Sequence, residues 1–392
     1  MPPRVVTLFD PKSKATARVL PEVGMNCFSF CPVLDGQVVE TIWAAPGFES
    51  GTLRSTSSGT PILFPFAGRL RGTHLRFGDR EVPLVIDERQ HCAIHGFVHN
   101  RPWRVIDEQP ARTAGSFPEA AADRFKAPSV RPSSITAEFH AAWDDPALLK
   151  LWPADFRIRV TYEVGANELR CRIKVDNPDK HPLPFSLGTH GYFRVPLVGY
   201  DLVPSGAPFF CPNCHRANVP RSLQVSDGSC EYCGEPVKVW RPAQHNPKVE
   251  NDEASRVFVP ARSYWELSGM LPTGQKLPAD GPRGLAAGMS LAQIKLDDVL
   301  TDLESRGGRV ACRIEDPVNH RRLTLEFDEV FRECVIFNPP HREAIALEPY
   351  TNPPDAFALA EKGVGGGPRV LQPGESFEAR IDIRAESTFG PK

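Results

Sequence analysis

Long hydrophobic segments are absent from this sequence. The N-terminal residues, MPPRVVTLFDPKSKATARV, contain no apolar run of signal-peptide length, and no stretch of the chain is long and apolar enough to cross a bilayer. The net charge is also small, at −2, so the chain has no bulk attraction to nucleic acid or to an anionic membrane surface. We therefore expect a cytoplasmic protein that has neither a membrane nor a nucleic acid as its partner.

Internal repeats and long helical patterns are also lacking. No self-similarity recurs at the period of a solenoid or a propeller. The 40 prolines and 30 glycines interrupt the chain too often for long helices, and they favour short strands joined by loops. Hydrophobic residues make up 41% of the sequence, which is enough for a sizeable core.

What the sequence has instead is alternation of apolar and polar residues. Phe156 to Val164 (FRIRVTYEV) and Glu168 to Val175 (ELRCRIKV) alternate on either side of a glycine- and asparagine-containing turn, which predicts a β-hairpin. Val310 to Ile314 and Arg322 to Phe327 predict a second hairpin, and SFEARIDIRAE predicts a further strand near the C-terminal end. Strands with one polar face each indicate stacked antiparallel sheets and an all-β fold.

Two segments interrupt this pattern and are predicted to be insertions. One is rich in alanine and proline and runs from about Pro110 to Ser134, with a candidate helix at Pro118 to Phe125. A second candidate helix is Asp145 to Leu151. The other insertion covers residues 205–255, and its polar tail leads into the predicted strand RVFVPARSYWEL. We interpret residues 1–392 as one β-sandwich domain that carries the 205–255 insertion.

Four of the ten cysteines lie in the second insertion as two CxxC pairs. Cys211, Cys214, Cys230 and Cys233 have the spacing of a four-thiolate zinc ribbon, with free thiols or disulfides as the alternative. Four protein thiolates leave no open coordination position, so we expect a structural Zn²⁺ rather than a catalytic one. The charges around the pairs are mixed, which argues against nucleic acid binding and leaves a protein partner as one interpretation of the insert. The other six cysteines are scattered, as is typical of a reducing compartment.

Candidate chemistry lies outside the insert, where ionisable residues interrupt apolar segments. Three such segments are GTPILFPFAGRLRG (Gly59 to Gly72), CAIHGFVHNRPWRV (Cys92 to Val105) and PFSLGTHGYFRVP (Pro184 to Pro196). In a fourth, AIALEPYTNPPDAFAL, Glu348 interrupts an apolar strand. A carboxylate in such a position is costly unless it has partners or a chemical role.

Together these segments carry a resemblance to a known family. PFAGRLRG, HGF followed by a tryptophan, LGTHGYF, MLPTGQKLP, LDDVLTDL, ALEPYTNPPDAF and LQPGE occur in this order between about Gly59 and Glu386. They resemble the motifs of the aldose 1-epimerase (galactose mutarotase) family, into which a zinc-ribbon-like unit is inserted here. The resemblance implies a large antiparallel β-supersandwich. It also implies an isomerase that interconverts the α and β anomers of a free sugar.

The resemblance further implies roles for five residues. Glu348 would be the base that takes the proton of the anomeric hydroxyl, and His190 the acid that protonates the ring oxygen. Arg69, His95 and Asp297 would bind sugar hydroxyls, as a donor fork and a carboxylate acceptor suit vicinal hydroxyls. Proton transfer suffices for this reaction, so no catalytic cofactor is expected. We expect an ionised Glu348 and a protonated His190, because each charge favours the other.

Each of these residues also has a purely structural interpretation. His190 and His95 could be hydrogen-bonded core histidines, Glu348 could be the buried partner of an arginine, and Arg69 could fasten a loop. Asp297 and Asp298 are adjacent, so one of them is expected to face solvent. Trp103 fits the core better than a sugar-stacking position.

The motifs also depart from the family pattern in ways that concern the substrate. His190 is followed by Gly191 where the family commonly has proline, and Gly68 precedes Arg69 where the family has asparagine. Relatives that act on hexose 6-phosphates carry an arginine after the HGF motif, whereas this chain has His99 nearby, which favours an unphosphorylated sugar. Arg71, Arg101 and Arg194 leave a hexose-6-phosphate epimerase open. A non-catalytic carbohydrate-binding or sensing protein of the same fold is the other alternative.

Overall fold

The structure, a computed structural model, describes residues 2–110, 133–201, 254–365 and 367–388, with the side chains of residues 200 and 201 excepted. Its strands, numbered in chain order within these residues, are β1 (Val6–Phe9), β2 (Thr16–Leu20), β3 (Asn26–Cys31), β4 (Val33–Leu34), β5 (Gln37–Val39), β6 (Ile62–Leu63), β7 (Arg69–Leu70), β8 (His74–Phe77), β9 (Arg80–Pro83), β10 (Ala93–Ile94), β11 (Arg104–Gln109), β12 (Ser134–His140), β13 (Arg157–Gly165), β14 (Glu168–Asp176), β15 (Leu183–Phe185), β16 (Gly188–Thr189), β17 (Gly191–Arg194), β18 (Gly199–Asp201), β19 (Arg256–Phe258), β20 (Ala261–Ser268), β21 (Leu271–Pro278), β22 (Met289–Ser290), β23 (Asp297–Leu303), β24 (Arg309–Asp316), β25 (Arg321–Asp328), β26 (Glu333–Phe337), β27 (Ala344–Tyr350), β28 (Arg369–Leu371) and β29 (Ser376–Ser387).

Helices are few and short in the described part of the chain. Two are α-helical, α1 (Ala141–Asp144) and α2 (Ala356–Glu361). The 3₁₀ helices are Phe48–Ser50, Ser55–Ser57, Val98–Asn100, Pro146–Lys150, Gly281–Arg283, Leu285–Ala287 and Leu291–Gln293. None of the helices in these ranges has the length and apolar character needed to span a membrane.

Two large antiparallel sheets form the body of the protein. One has nine strands in the order β11-β12-β13-β14-β29-β25-β24-β19-β22. The other has eight strands, in the order β21-β20-β23-β26-β27-β16-β6, with β17 also paired to β27. Alternate residues of both sheets meet in one hydrophobic core, where for example Ile381 of β29 and Leu347 of β27 are buried. This arrangement confirms the all-β antiparallel sandwich that the alternating sequence predicted.

The predicted hairpins are confirmed; β14, β24 and β25 are longer than the pattern marked, whereas β13 has the predicted length and begins one residue later. β13 pairs with β14 from Arg157↔Asp176 to Gly165↔Glu168. The turn between them is made by Ala166 and Asn167, both with positive φ, as a two-residue hairpin turn requires. β24 pairs with β25, and SFEARIDIRAE lies in β29, which joins β14 to β25.

Three local expectations differ from the structure or lie outside it. The single strand predicted for RVFVPARSYWEL is two strands, β19 and β20, because Pro260 cannot continue the ladder and the chain crosses there from one sheet to the other. The helix predicted at Asp145 to Leu151 is the 3₁₀ helix Pro146–Lys150. The candidate helix at Pro118 to Phe125 lies outside the described residues, as does all of the 205–255 insertion except residues 254 and 255.

Candidate active site

Glu348 lies on a strand that is buried on both faces. β27 has β26 on one side and β16 and β17 on the other, and all seven of its residues are buried. Ile345 and Leu347 point into the core between the sheets. Because side chains alternate along a strand, Glu348 lies on the opposite face of this sheet, away from the nine-stranded sheet. Its side chain is only 2% exposed there.

The same sheet brings His190 to Glu348. His190 is the residue between β16 and β17, which both pair with β27, through Gly188↔Tyr350 and Gly191↔Leu347. Its backbone N–H donates to the carbonyl oxygen of Pro61, and its imidazole Nε2 lies 3.2 Å from Oε1 of Glu348. The two residues proposed from the sequence as acid and base are therefore within direct proton-transfer distance of each other.

These two residues line a cleft of about 460 Å³ on the outer face of the eight-stranded sheet. Arg69, His95 and Asp297, the three predicted sugar ligands, line the same cleft. The structure thus brings together all five site residues named from the sequence, although they are up to 279 positions apart in the chain, from Arg69 to Glu348.

His95 is placed by a tight backbone turn next to β10. Both His95 and Gly96 have positive φ, and a Cβ at position 96 would lie 2.2 Å from the carbonyl oxygen of Phe64. Only glycine fits there, which explains the HGF motif. The His95 ring meets the His190 ring edge-on at 5.5 Å between centroids. The Nδ1 atoms of both rings are buried and have no hydrogen-bond partner among the described residues.

The two adjacent aspartates have different environments. Asp297 is exposed at the mouth of the cleft, whereas Asp298 is buried and its Oδ1 accepts from Nε of Arg283 at 2.9 Å. The expectation that one of the pair faces solvent is correct for Asp297. Arg69 is half-buried and its guanidinium donates to the side chain of Gln90 at 3.0 Å.

Burial controls the protonation of the central pair. It raises the pKa of Glu348 well above its ordinary value, with the hydrogen bond from Tyr350 acting in the opposite direction. It also lowers the pKa of His190 to about 3. Both shifts favour the uncharged forms, in the opposite sense to the ionised Glu348 and protonated His190 expected from the sequence.

Several residues that line the cleft were not predicted from the sequence. Tyr350 lies two positions after Glu348, and Tyr192 lies two positions after His190. Because side chains alternate along a strand, each tyrosine ring lies on the same side as the site residue that precedes it. The Tyr350 hydroxyl donates to Oε2 of Glu348 at 2.6 Å, and the Tyr192 ring stacks on His190 at 4.6 Å. Arg54 also lines the cleft, from an irregular loop with no periodic pattern.

Other residues singled out from the sequence lie elsewhere. Trp103 is in the core, where its indole N–H donates to the carbonyl oxygen of Val98. Arg71 pairs with Asp355 and Arg101 with Asp145. Arg71, Arg101 and Arg194 are not among the residues that line the cleft.

The proposed metal site cannot be placed. Cys211, Cys214, Cys230 and Cys233 lie outside the described residues. Within the described ranges, no cluster of three or more histidine, cysteine or acidic side chains could hold a metal ion. The other six cysteines are free thiols, and five of them are buried.

Comparison with known proteins gives a consistent picture of the fold. Residues 32–202 match the family model described as aldose 1-epimerase. A galactose mutarotase-like protein from Clostridium acetobutylicum aligns with a TM-score of 0.68 and 21% identity, over 96% of this chain and 93% of that one. An aldose epimerase homologue from C. elegans aligns with a TM-score of 0.67 and 14% identity, over 98% and 99%. Galactose 1-epimerase from Lactobacillus acidophilus aligns with a TM-score of 0.62 and 15% identity, over 97% and 94%. The chain therefore has the galactose mutarotase-like fold.

The contrast between the adjacent aspartates gives a test of the site that needs no substrate. Asp298→Asn removes the charge that Arg283 pairs with, and we expect it to lower the free energy of unfolding by about 1–2 kcal/mol. Asp297→Asn should leave stability unchanged or raise it slightly, because the walls of the cleft already disfavour the charged carboxylate and raise its pKa. Urea unfolding of both variants without sugar measures the difference. Equal losses of stability would contradict this assignment of the two side chains.

Proposed function

We propose that the protein is an aldose 1-epimerase, an isomerase that interconverts the α and β anomers of a sugar. The observation that carries the proposal is the contact of 3.2 Å between His190 Nε2 and Glu348 Oε1 on the floor of a cleft. Mutarotation needs one group to accept a proton and another to donate one, on neighbouring oxygens of the sugar. The match of residues 32–202 to the aldose 1-epimerase family supports the same reading.

Glu348 as base and His190 as acid give a balanced reaction. Oε1 of Glu348 takes the proton from the anomeric hydroxyl, and the C1–O1 bond becomes a carbonyl. The bond between C1 and the ring oxygen breaks, its electron pair goes to the ring oxygen, and Nε2–H of His190 protonates that oxygen. Rotation about the C1–C2 bond exposes the other face of the aldehyde. Both proton transfers then run in reverse, so no net proton is gained or lost.

The uncharged forms of Glu348 and His190, which burial favours, also occur within this cycle. After ring opening, Glu348 is protonated and His190 is neutral, which is the arrangement that burial favours in the free protein. The direct contact lets the single proton pass from Oε1 to Nε2 and create the ionised pair. A bound sugar favours that transfer, because its hydroxyls can donate hydrogen bonds to the carboxylate.

The remaining ligands hold the sugar ring around this pair. Arg69 offers donors, Asp297 accepts from hydroxyls at the mouth of the cleft, and His95 lies beside His190. Burial keeps the pKa of His95 well below its ordinary value, so this side chain is neutral and has one donor and one acceptor for hydroxyls. A non-catalytic sugar-binding protein would use these three residues equally well but would have no need of the His190–Glu348 pair.

A sugar that carries an anionic group is a second candidate substrate. Two guanidinium groups, Arg54 and Arg69, line the cleft, and Arg69 has no ion pair with a carboxylate in the described part of the chain. Arg54 pairs with Asp87 over 3.3 Å at a partly exposed position, so it retains free donors. His99, which follows the HGF motif, is held by Ser55 at 2.7 Å, and burial lowers its pKa to about 4. His99 is therefore neutral, and Arg54 is the better candidate for binding a phosphate.

We also propose that a zinc ribbon is formed by four cysteines, Cys211, Cys214, Cys230 and Cys233. In it, the ion is structural, no cofactor takes part in catalysis, and the insert contacts a protein partner. The cytoplasmic location likewise stays a prediction from the scattered cysteines.

Removal of either member of the pair tests the reaction. We expect Glu348→Gln and His190→Gln to lower the rate of anomer exchange about 100-fold or more, since each removes a proton-transfer group. The measurement is polarimetry of freshly dissolved pure anomers, or exchange NMR at equilibrium, across several aldoses. Glu378→Gln and His74→Gln, both at exposed positions, are matched controls that should equal the wild type. Full activity in the two cleft variants would refute the proposal, and sugar binding without exchange in the wild type would favour the non-catalytic alternative.

The shifted pKa values predict an unusual pH dependence. Activity requires one proton on the pair, so it is lost at acid pH only when His190 gains a second proton, near its pKa of about 3. We therefore expect kcat to show no acid limb between about pH 6.5 and pH 5.5, where an ordinary histidine would titrate. The rate in buffer alone must be subtracted at each pH. An acid limb near pH 6.5 that disappears in His190→Gln would contradict this assignment.

The two substrate classes can be separated through Arg54. If the substrate carries a phosphate, Arg54→Gln should lower kcat/KM for a hexose 6-phosphate at least about tenfold more than for the parent hexose, because a charged hydrogen bond is lost only with the phosphate. Arg76→Gln, at an exposed position of β8, is the control. Equal effects on both sugars would leave the unphosphorylated sugar as the substrate.

A further inference from the structure

The carboxyl group of Glu348 accepts a hydrogen bond from the phenol of Tyr350. Oη of Tyr350 donates to Oε2 of Glu348 at 2.6 Å, while Oε1 of the same carboxyl group lies 3.2 Å from Nε2 of His190. The two oxygens of Glu348 therefore have different partners. Oε2 is bound by Tyr350, and Oε1 lies next to His190, the proposed acid.

The position of the Tyr350 ring is fixed by its neighbours. Tyr350 is 1% exposed and packs in an apolar cluster with Leu63, Trp265 and Val335. In the sheet it lies opposite Gly188 on one side and Glu333 on the other. A Cβ at position 188 would lie 2.5 Å from Cδ1 of the tyrosine ring, so the ring occupies the space that a side chain would need. The hydroxyl group consequently has little freedom to move away from Glu348.

We propose, on the basis of the proposed function, that Tyr350 is a positioning residue that fixes Oε2 of Glu348 and so assigns Oε1 as the oxygen that exchanges protons with the sugar. A carboxyl group on a two-carbon stem could otherwise rotate and present either oxygen. The phenol also stabilises the ionised carboxylate, because it donates to it in a buried place where few other donors reach. Tyr350 touches no reacting atom itself and acts through Glu348.

Other charged and titratable groups also act on the pKa of Glu348. They are His190 between β16 and β17, Asp297 on β23, Cys334 on β26 and Arg69 on β7. Asp297 and Cys334 raise the pKa of Glu348, whereas Arg69 and the Tyr350 hydroxyl lower it. Arg69 lies in the cleft and is a candidate sugar ligand. Tyr350 lies on the same strand as Glu348, so the sheet itself fixes its hydrogen bond to the carboxyl group.

Tyr350→Phe tests this role because it removes one oxygen atom and keeps the ring. We expect kcat to fall about 10- to 100-fold, as a hydrogen bond to a charged group is lost, with KM changed less than about threefold. Without the donor, the pKa of Glu348 rises. The pair then loses its last proton at a higher pH, so the alkaline limb of the kcat profile moves upward, while the acid limb set by His190 stays in place. Tyr162→Phe removes another buried phenol hydroxyl, from the core between the sheets, and should change neither limb.

A second measurement needs no turnover. Carbon-13 NMR of labelled glutamate carboxyl groups can follow the titration of Glu348, whose signal is assigned by its absence from Glu348→Gln. The titration should shift to higher pH in Tyr350→Phe. It should shift to lower pH when Tyr350 is replaced by 3-fluorotyrosine, which keeps the shape and is a stronger donor. The fluorinated variant decides the question if Tyr350→Phe does not fold.

The outcomes separate the two proposals. Opposite shifts in the two variants support the positioning role, and an unchanged Glu348 titration in the folded variants overturns it, even if kcat falls. A wild type that exchanges no anomers refutes the proposed function instead. In that case the NMR titration still reports whether Tyr350 controls the carboxyl group.

Discussion

The rest of the site depends on the placement of a carboxyl group inside a sheet. Glu348 is 2% exposed on a strand with neighbours on both sides, and burying a carboxylate costs several kcal/mol unless its lone pairs are bound. The neighbouring strands supply that compensation. His190 sits at the break between β16 and β17, and Tyr350 follows two residues along β27, so the hydrogen-bonded ladder that builds the fold also sets the distances around Glu348. The geometry of the proposed acid–base pair is thus a property of strand pairing rather than of a loop.

The same burial determines how the pair is charged. An ion pair of Glu348 and His190 would gain Coulomb energy at 3.2 Å, but each group loses its hydration in the closed site. Desolvation is the largest cause of the pKa shift of each group, and it favours the uncharged form of each. Under the proposed function, a pair that is ionised only when a bound sugar supplies hydrogen bonds avoids stabilising the ground state. Such a site makes its strongest electrostatic interactions when the proton moves, which is when they lower the barrier.

Sequence patterns predicted much of this molecule, and the failures have physical causes. Strict alternation was enough for β13, β14, β24, β25 and β29, because these strands have one buried and one polar face. β27 gives no alternating signal, since both of its faces are covered, and only Glu348 marks it as unusual. Tyr350 and Tyr192 were missed although they lie two residues from predicted site residues. A tyrosine in a buried strand is interpreted as a core residue until the hydrogen-bond partner of its hydroxyl group is known. Arg54 was missed because it comes from an irregular loop whose path depends on tertiary contacts.

The attachment points of the insertion limit what it can do to the chemistry. The described chain leaves at β18, which pairs with β5, and returns at β19, which pairs with β24 in the nine-stranded sheet. Neither strand contributes a residue to the described lining of the cleft, which lies on the other large sheet. Both anchors are held by backbone pairing, and Glu348 and His190 are brought together by pairing within the eight-stranded sheet. We therefore propose an accessory rather than a catalytic role for the CxxC unit, because the strands that hold Glu348 and His190 are already fixed by their own ladder.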